Sequence, residues 1–246
     1  HKISTAQLDL LEWLVRALGA GAGSRPPARC VVCFVAGMAE VATLADRFDR
    51  LNAAASGTVR YEVVPVHSEL PVDAQRLVLD ATRTTPLFEG GPRVVRVVVA
   101  TNAAESSLTI PDVDAVIDLC ARKSPSLDPE TDRVVLKQTW ASRATLVQRA
   151  GRAGRVGDGV AYHLVSRAFA ERCLRERDPP AIATTPLDQC VLGLRAALPG
   201  RPVAPLLRNF PSPPRDGAML DAFRLLVRRG LLVSATQPAD DDDDDD

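Results

Sequence analysis

Apolar and polar positions along the chain follow two alternating rhythms. Leu8, Leu11, Val15 and Leu18 recur at helical spacing behind Ser4-Thr5-Ala6-Gln7, a capping-box pattern, which predicts a helix ending before the stretch GAGAGSRPP. Arg29 to Val35 is short, nearly all apolar and rich in β-branched residues, the signature of a parallel strand covered on both faces. A helix from Met38 to about Leu51 follows, and the theme repeats: strand Tyr61 to Val66, helix Val72 to Ala81, strand Val94 to Thr101, a short helix near Ala103 to Leu108, strand Ala115 to Leu119. Strands alternating with helices imply βαβ units and a parallel sheet.

Residues 120 to 139 break the alternation. Pro125, Pro129 and the polar run SLDPETD sit between two extendable flanks, which predicts a projecting β-hairpin. A helix over 143 to 153, a strand from Val160 to Val165 and a helix from Ala168 to Glu176 come next, closed by Asp178-Pro179-Pro180. Beyond it, Leu187 to Leu198 and Ala218 to Arg229 read as two amphipathic helices separated by the loop PGRPVAPLLRNFPSPPRDG, and Gly230-Leu231-Leu232-Val233 as the start of a strand. The expected organisation is an α/β domain over 1–178, a small helical module of winged-helix type over 179–236, and a disordered acidic tail over 237–246.

Composition sharpens this. Of 246 residues, 46% are hydrophobic and 25% charged, enough to build a core. The net charge of −1 hides seven aspartates at 240–246; without them 30 basic residues face 24 acidic ones (31 − 7), a balance of +6. Apart from Lys2, Lys123 and Lys137 the basic residues are arginines, which suit bidentate phosphate contacts, although a genomic Ala/Arg bias reads equally well. Five cysteines, an odd number without a signal peptide, point to a reducing compartment, nucleus or cytoplasm. Cys30 and Cys33 form a CxxC inside an apolar strand and read as core rather than as metal ligands, and no metal site is expected. No apolar stretch reaches the roughly 18 residues of a membrane span, so no membrane partner is expected. The chain begins with His1 rather than Met, which suggests a piece of something longer.

In open α/β sheets ligands bind at the carboxyl ends of the strands. Four segments qualify: Ala36 to Ala39, His67 to Pro71, Thr101 to Thr109, and the entry to the helix at 143. The third supplies Thr101, Asn102, Ser106, Ser107 and Thr109, short donors able to hold phosphate oxygens. In QRAGRAGRVGDG, on a helix, Gln148, Arg152 and Arg155 fall at i, i+4 and i+7 and share one face, with Arg149 turned about 100° away. Gly151 and Gly154 would each cost such a helix about 1 kcal/mol, which suggests that another backbone or a ligand approaches there.

QRAGRAGR at 148–155 and ATNAAESSLTIPDV at 100–113 resemble motifs VI and V of the DEAH-box/RHA branch of superfamily 2 helicases. VVCFVAGMAEV at 31–41 is similar to that branch's motif IV, and HSELPVDAQ at 67–75 to its next segment. The resemblance covers about residues 5 to 235 and implies a second RecA-like domain with a following winged-helix module. It implies that Arg152 and Arg155 reach the γ-phosphate of ATP as arginine fingers, that Gln148 positions the attacking water, and that Ser107 senses the nucleotide. Thr101, Asn102 and Thr109 would hold the backbone of a single strand, and Gly37 would let that strand pass closely. The implied partners are single-stranded RNA or a duplex with a single-stranded tail, the first RecA-like domain of the same protein, and an activator protein. ATP with Mg2+ would be bound mainly by that first domain, because this chain has neither a GxxxxGK[ST] loop nor a DEAH box and is expected to be inactive alone. Two positions depart from the pattern: Ala103 stands where isoleucine or valine is usual, and Pro111 displaces the expected ribose-binding acid to Asp112. The alternative reading is a non-catalytic nucleic-acid-binding or scaffold module.

Overall fold

The structure, a computed structural model, describes residues 3–21, 26–54, 59–67, 92–102, 110, 112–128, 133–155 and 157–233. The helices expected at 72–81 and 103–108 lie outside these, as do Ser107 and Thr109.

The first helix, α1 (Thr5–Ala20), starts as its capping box requires: the Ser4 side chain accepts from the Gln7 N–H at 3.3 Å and the Gln7 side chain accepts from the Ser4 N–H at 3.1 Å. It ends at Gly21, whose φ of +81° places it in the left-handed region. The strands β1 (Cys30–Phe34), β2 (Val59–Val66), β3 (Arg93–Ala100), β4 (Ala115–Asp118) and β7 (Val160–His163) form one sheet in the order β2-β3-β1-β4-β7. Every recorded pairing in it is parallel.

The uninterrupted apolar run of β1 follows from its central place. Val31 and Cys33 pack on one face with Leu11 and Val15 of α1 and with Leu44 and Phe48 of α2 (Met38–Ala54). Cys30, Val32 and Phe34 pack on the other with Val66, Val98, Ile110 and Val116. The CxxC is therefore core: burial pushes the Cys30 thiol up to about 12 and that of Cys33 higher still. The expected hairpin is present as β5 (Ala121–Asp128) paired with β6 (Arg133–Trp140). It is followed by α3 (Arg143–Ala150) and, after β7, by α4 (Arg167–Cys173).

The chain divides into two compact units, residues 1–124 with 136–178, and residues 125–135 with 179–246. In the second, α5 (Asp188–Ala197), α6 (Val203–Arg208) and α7 (Asp216–Arg228) enclose a core of Leu187, Val191, Val203, Leu207, Met219 and Leu226. Two expectations are corrected here. The Pro-rich stretch after α5 contains α6, because Pro202 precedes its first turn and Pro205 falls within it, where no N–H is needed. Gly230 does not lead into a strand: at φ +69° it closes α7, with the Gly230 N–H donating to Val227 O at 2.9 Å and the Leu231 N–H to Leu226 O at 2.9 Å. No strand is found among the described residues from 179 to 233.

Leu207 is fully buried on α6. Leu207→Ala should cost about 3 kcal/mol in urea denaturation followed by circular dichroism. A cost below about 1 kcal/mol would mean that α6 is not a packed element of this unit.

Candidate functional site

The start of α3 is tied down by the chain itself. The first four N–H groups of a helix lack intrahelical partners; here Arg143 N–H donates to Arg175 O at 2.9 Å, Ala144 N–H to Glu176 O at 3.0 Å, and Thr145 N–H to the Ser142 hydroxyl at 3.2 Å. Asp178 Oδ2 accepts from Ser142 Oγ at 3.0 Å and Thr145 Oγ1 at 2.6 Å, and pairs with Arg122 at 2.5 Å. Burial pushes the Asp178 carboxyl up, but the Thr145 hydroxyl, the Arg122 guanidinium and the Ser142 hydroxyl together outweigh it and hold it below its ordinary 3.8. The helix entry, one of the four candidate ligand sites, is thus filled by residues 175–178.

Near the other end of α3 lies Arg149, with no exposed surface. Its guanidinium sits 5.0 Å from the centre of the Phe34 ring, donating to Asp118 Oδ1 at 2.7 Å, Ala121 O at 3.3 Å and Asn102 Oδ1 at 3.0 Å. Asp118, equally buried, is the last residue of β4, and the same Oδ1 accepts the Cys120 N–H at 2.7 Å while Cys120 holds a left-handed φ of +57°. The Asn102 side chain turns its other end to the hairpin, Nδ2 donating to Lys123 O at 3.0 Å. One arginine therefore joins the end of β4, the loop after β3 and the first hairpin strand.

The expected helix over 143–153 is corrected: α3 stops at Ala150. Arg152 N–H donates to Arg149 O and Ala153 N–H to Ala150 O, both at 3.1 Å, i to i−3 bonds that unwind the helix into turns. Gly154 follows at φ +74°, and a Cβ there would stand 3.3 Å from Gly157 O and Gly159 N. Gly154 therefore turns the chain out of the helix, and the close backbone approach it permits is to this chain's own 157–159 loop; Gly151, at φ −67°, meets only the Val147 and Gln148 carbonyls of its own helix. The single helical face for Gln148, Arg152 and Arg155 does not form, since only Gln148 is on α3. Instead the segment after Arg149 runs lengthwise over β4: Arg149 bonds Asp118 at the carboxyl end, Ala153 packs against the core cluster that includes Val113 and Val116, and Gly154 N–H donates to Val113 O, before the amino end, at 3.4 Å.

The candidate residues fall into two groups on this line. Arg152, half-buried, and Arg155, exposed, lie towards the amino end of β4, where Asp112 is exposed at φ +55°. Thr101, Asn102 and Gly37 follow the carboxyl ends of β3 and β1, with Thr101 N–H donating to Val66 O at 3.0 Å. Asp118 and Asp178 escaped the sequence reading. The available signal for Asp118 was a single carboxylate ending the apolar strand AVID, a group that must find a cation or donors. Among the described residues Asp118, Cys120 and His163 are the group whose side chains approach closely enough to hold an ion. A thiol and an imidazole do not suit Mg2+, which takes oxygen ligands.

Two outcomes follow. Arg149→Met leaves Asp118 buried and uncompensated and should cost about 3–5 kcal/mol in denaturant titration, part of which Asp118→Asn in the same protein restores. Because the folded Asp178 carboxyl lies below its ordinary value, its contribution is present above that value and is lost as pH falls through the folded one. Asp178→Asn should lower the melting temperature at neutral pH and flatten its decline below about pH 4; an unchanged acid limb would contradict this role.

The geometry can be set beside known proteins. The family model described as "Helicase conserved C-terminal domain" matches residues 9–157. "Probable ATP-dependent RNA helicase spindle-E" of Drosophila pseudoobscura pseudoobscura is 31% identical over 88% of this chain and 14% of its own length. "ATP-dependent RNA helicase DHX30" of Homo sapiens is 33% identical over 82% of this chain and 16% of its own. The crystal structure of the E. coli DExH-box NTPase HrpB superposes with a TM-score of 0.70 at 26% identity, covering 97% of this chain and 27% of that one. The chain thus spans a small part of the length of these curated relatives. With the parallel sheet, the ordered motifs and these matches, the chain belongs to the helicase conserved C-terminal domain family, as a C-terminal RecA-like domain of the DEAH-box/RHA branch.

Proposed function

We propose that this chain is the second motor domain of an ATP-dependent RNA helicase, supplying arginine fingers for ATP hydrolysis and gripping the single-strand backbone. The observation that carries the reading is the path of residues 149–154 along β4, which links the two groups of candidate residues through one buried arginine. Arg152 and Arg155 would reach the γ-phosphate, Gln148 would orient the water, and Asp112 would lie near the nucleotide; Ser107 would sense its state. Their donor chemistry suits this: guanidiniums present forked N–H groups to phosphate oxygens, and the Gln148 amide can both donate to and accept from a water. ATP supplies the scissile phosphoanhydride, and its Mg2+ would be carried mainly by the first RecA-like domain.

At the other end, Gly37, Thr101, Asn102 and Thr109 would hold the sugar-phosphate backbone of single-stranded RNA, or of a duplex with a single-stranded tail. Such contacts ignore sequence and weaken with salt. The hairpin would guide the strand at the junction. Partners would be the first RecA-like domain and an activator protein, in the nucleus or cytoplasm. The competing scaffold reading has no use for Gln148 and two spaced arginines, which favours the motor.

In the protein joined to its first motor domain, Arg152→Ala should lower RNA-stimulated ATP turnover by about 10³-fold or more while leaving RNA affinity within about twofold. Turnover that survives the substitution would remove the finger role from Arg152.

A further inference from the structure

Lys123 is one of only three lysines in a chain with 30 basic residues, and it occupies an unusual place. It is the third residue of β5, so its side chain and that of Arg122 leave opposite faces of the strand. Arg122 turns to Asp178. Lys123 turns to the loop after β1: a Cβ added to Gly37 would meet its Nζ at 2.6 Å, its Cε at 2.9 Å and its Cδ at 3.1 Å. Its backbone carbonyl meanwhile accepts the Asn102 amide at 3.0 Å. The two loops following β1 and β3 therefore converge on this residue, one beneath its side chain and the other on its carbonyl. Among the described residues no carboxylate forms an ion pair with it, whereas Arg47, Arg96, Arg122, Arg149 and Arg208 each have one.

We propose that Lys123 is a phosphate-binding residue of the single-strand surface, its ammonium lying over Gly37, where the absence of a side chain leaves room for it. The proposal rests on the strand-gripping reading above and adds a hairpin residue to it. The chemistry favours lysine here: the ammonium is compact enough to lie directly against a glycine, and as a point charge it neutralises a phosphate without demanding a forked geometry. Its tie to Asn102 runs through the backbone, so replacing the side chain leaves that bond in place.

The test is the salt dependence of binding of this chain to an unstructured oligouridylate, measured by fluorescence anisotropy. Removing one phosphate contact lowers the log–log salt slope by about 0.7, so that between about 50 and about 200 mM salt Lys123→Gln should lose about 2.5-fold less affinity than the unsubstituted protein. Lys123→Arg, which keeps the charge, should keep the slope, and both variants should melt where the unsubstituted protein does. A full slope in Lys123→Gln would overturn the proposal while leaving the strand-gripping reading standing. Absence of salt-dependent binding by the unsubstituted protein would overturn both.

Discussion

The fully buried ion pair between Arg149 and Asp118 is the constraint on which both ends of the candidate site depend. Burying two charges is costly, and the attraction between them repays it only when their remaining donors and acceptors are satisfied. That condition is met in part: the guanidinium also bonds Ala121 O and Asn102 Oδ1 and lies over Phe34, and Asp118 Oδ1 also takes the Cys120 N–H, while Asp118 Oδ2 has no hydrogen-bond partner among the described residues and lies 3.7 Å from His163 Nδ1. Such a pair contributes less to net stability than to geometry. It leaves few ways to arrange the end of β4, the hairpin base and the loop after β3 without stranding a charge.

From that anchor the chain leaves in two directions. Towards the amino end of β4, tight turns and the left-handed Gly154 release the backbone from α3 and carry Arg152 and Arg155 along the strand. Towards the carboxyl end, Asn102 passes the connection on to Lys123, whose side chain covers Gly37. A helix carried on through residue 153 would have kept its hydrogen-bond ladder, but its rise of about 1.5 Å per residue would have aimed the arginines off along its own axis. At the opposite end of α3, Asp178 and the carbonyls of Arg175 and Glu176 satisfy the helix start. With its entry held in this way, the helix presents Arg149 to β4 at a fixed angle.

The fold was legible where burial imposes a pattern. The apolar run around Cys30–Phe34 could be read as a doubly covered strand because both faces of a central parallel strand select the same residues. Ser4 and Gln7 announced a helix start because the capping geometry fixes their spacing. Legibility failed where one residue type serves two conformations. Gly151 and Gly154 were compatible with a weakened helix or with its end, and only the i to i−3 bonds and the left-handed φ decide. Pro205 suggested a loop, yet a first helical turn accepts it. The motif residues were identified from their order, but the pairing of Arg149 with Asp118 joins positions 31 apart, and no local spacing carries that information.

The central claim is that this chain holds one half of an ATP site whose other half lies on a first motor domain. It is tested most directly by measuring RNA-stimulated ATP turnover for this chain alone and for the same chain joined to that domain. The account predicts no turnover above background for the chain alone and robust turnover when the two are joined. Sustained hydrolysis by the chain alone, or none by the joined protein in the presence of RNA, would contradict it.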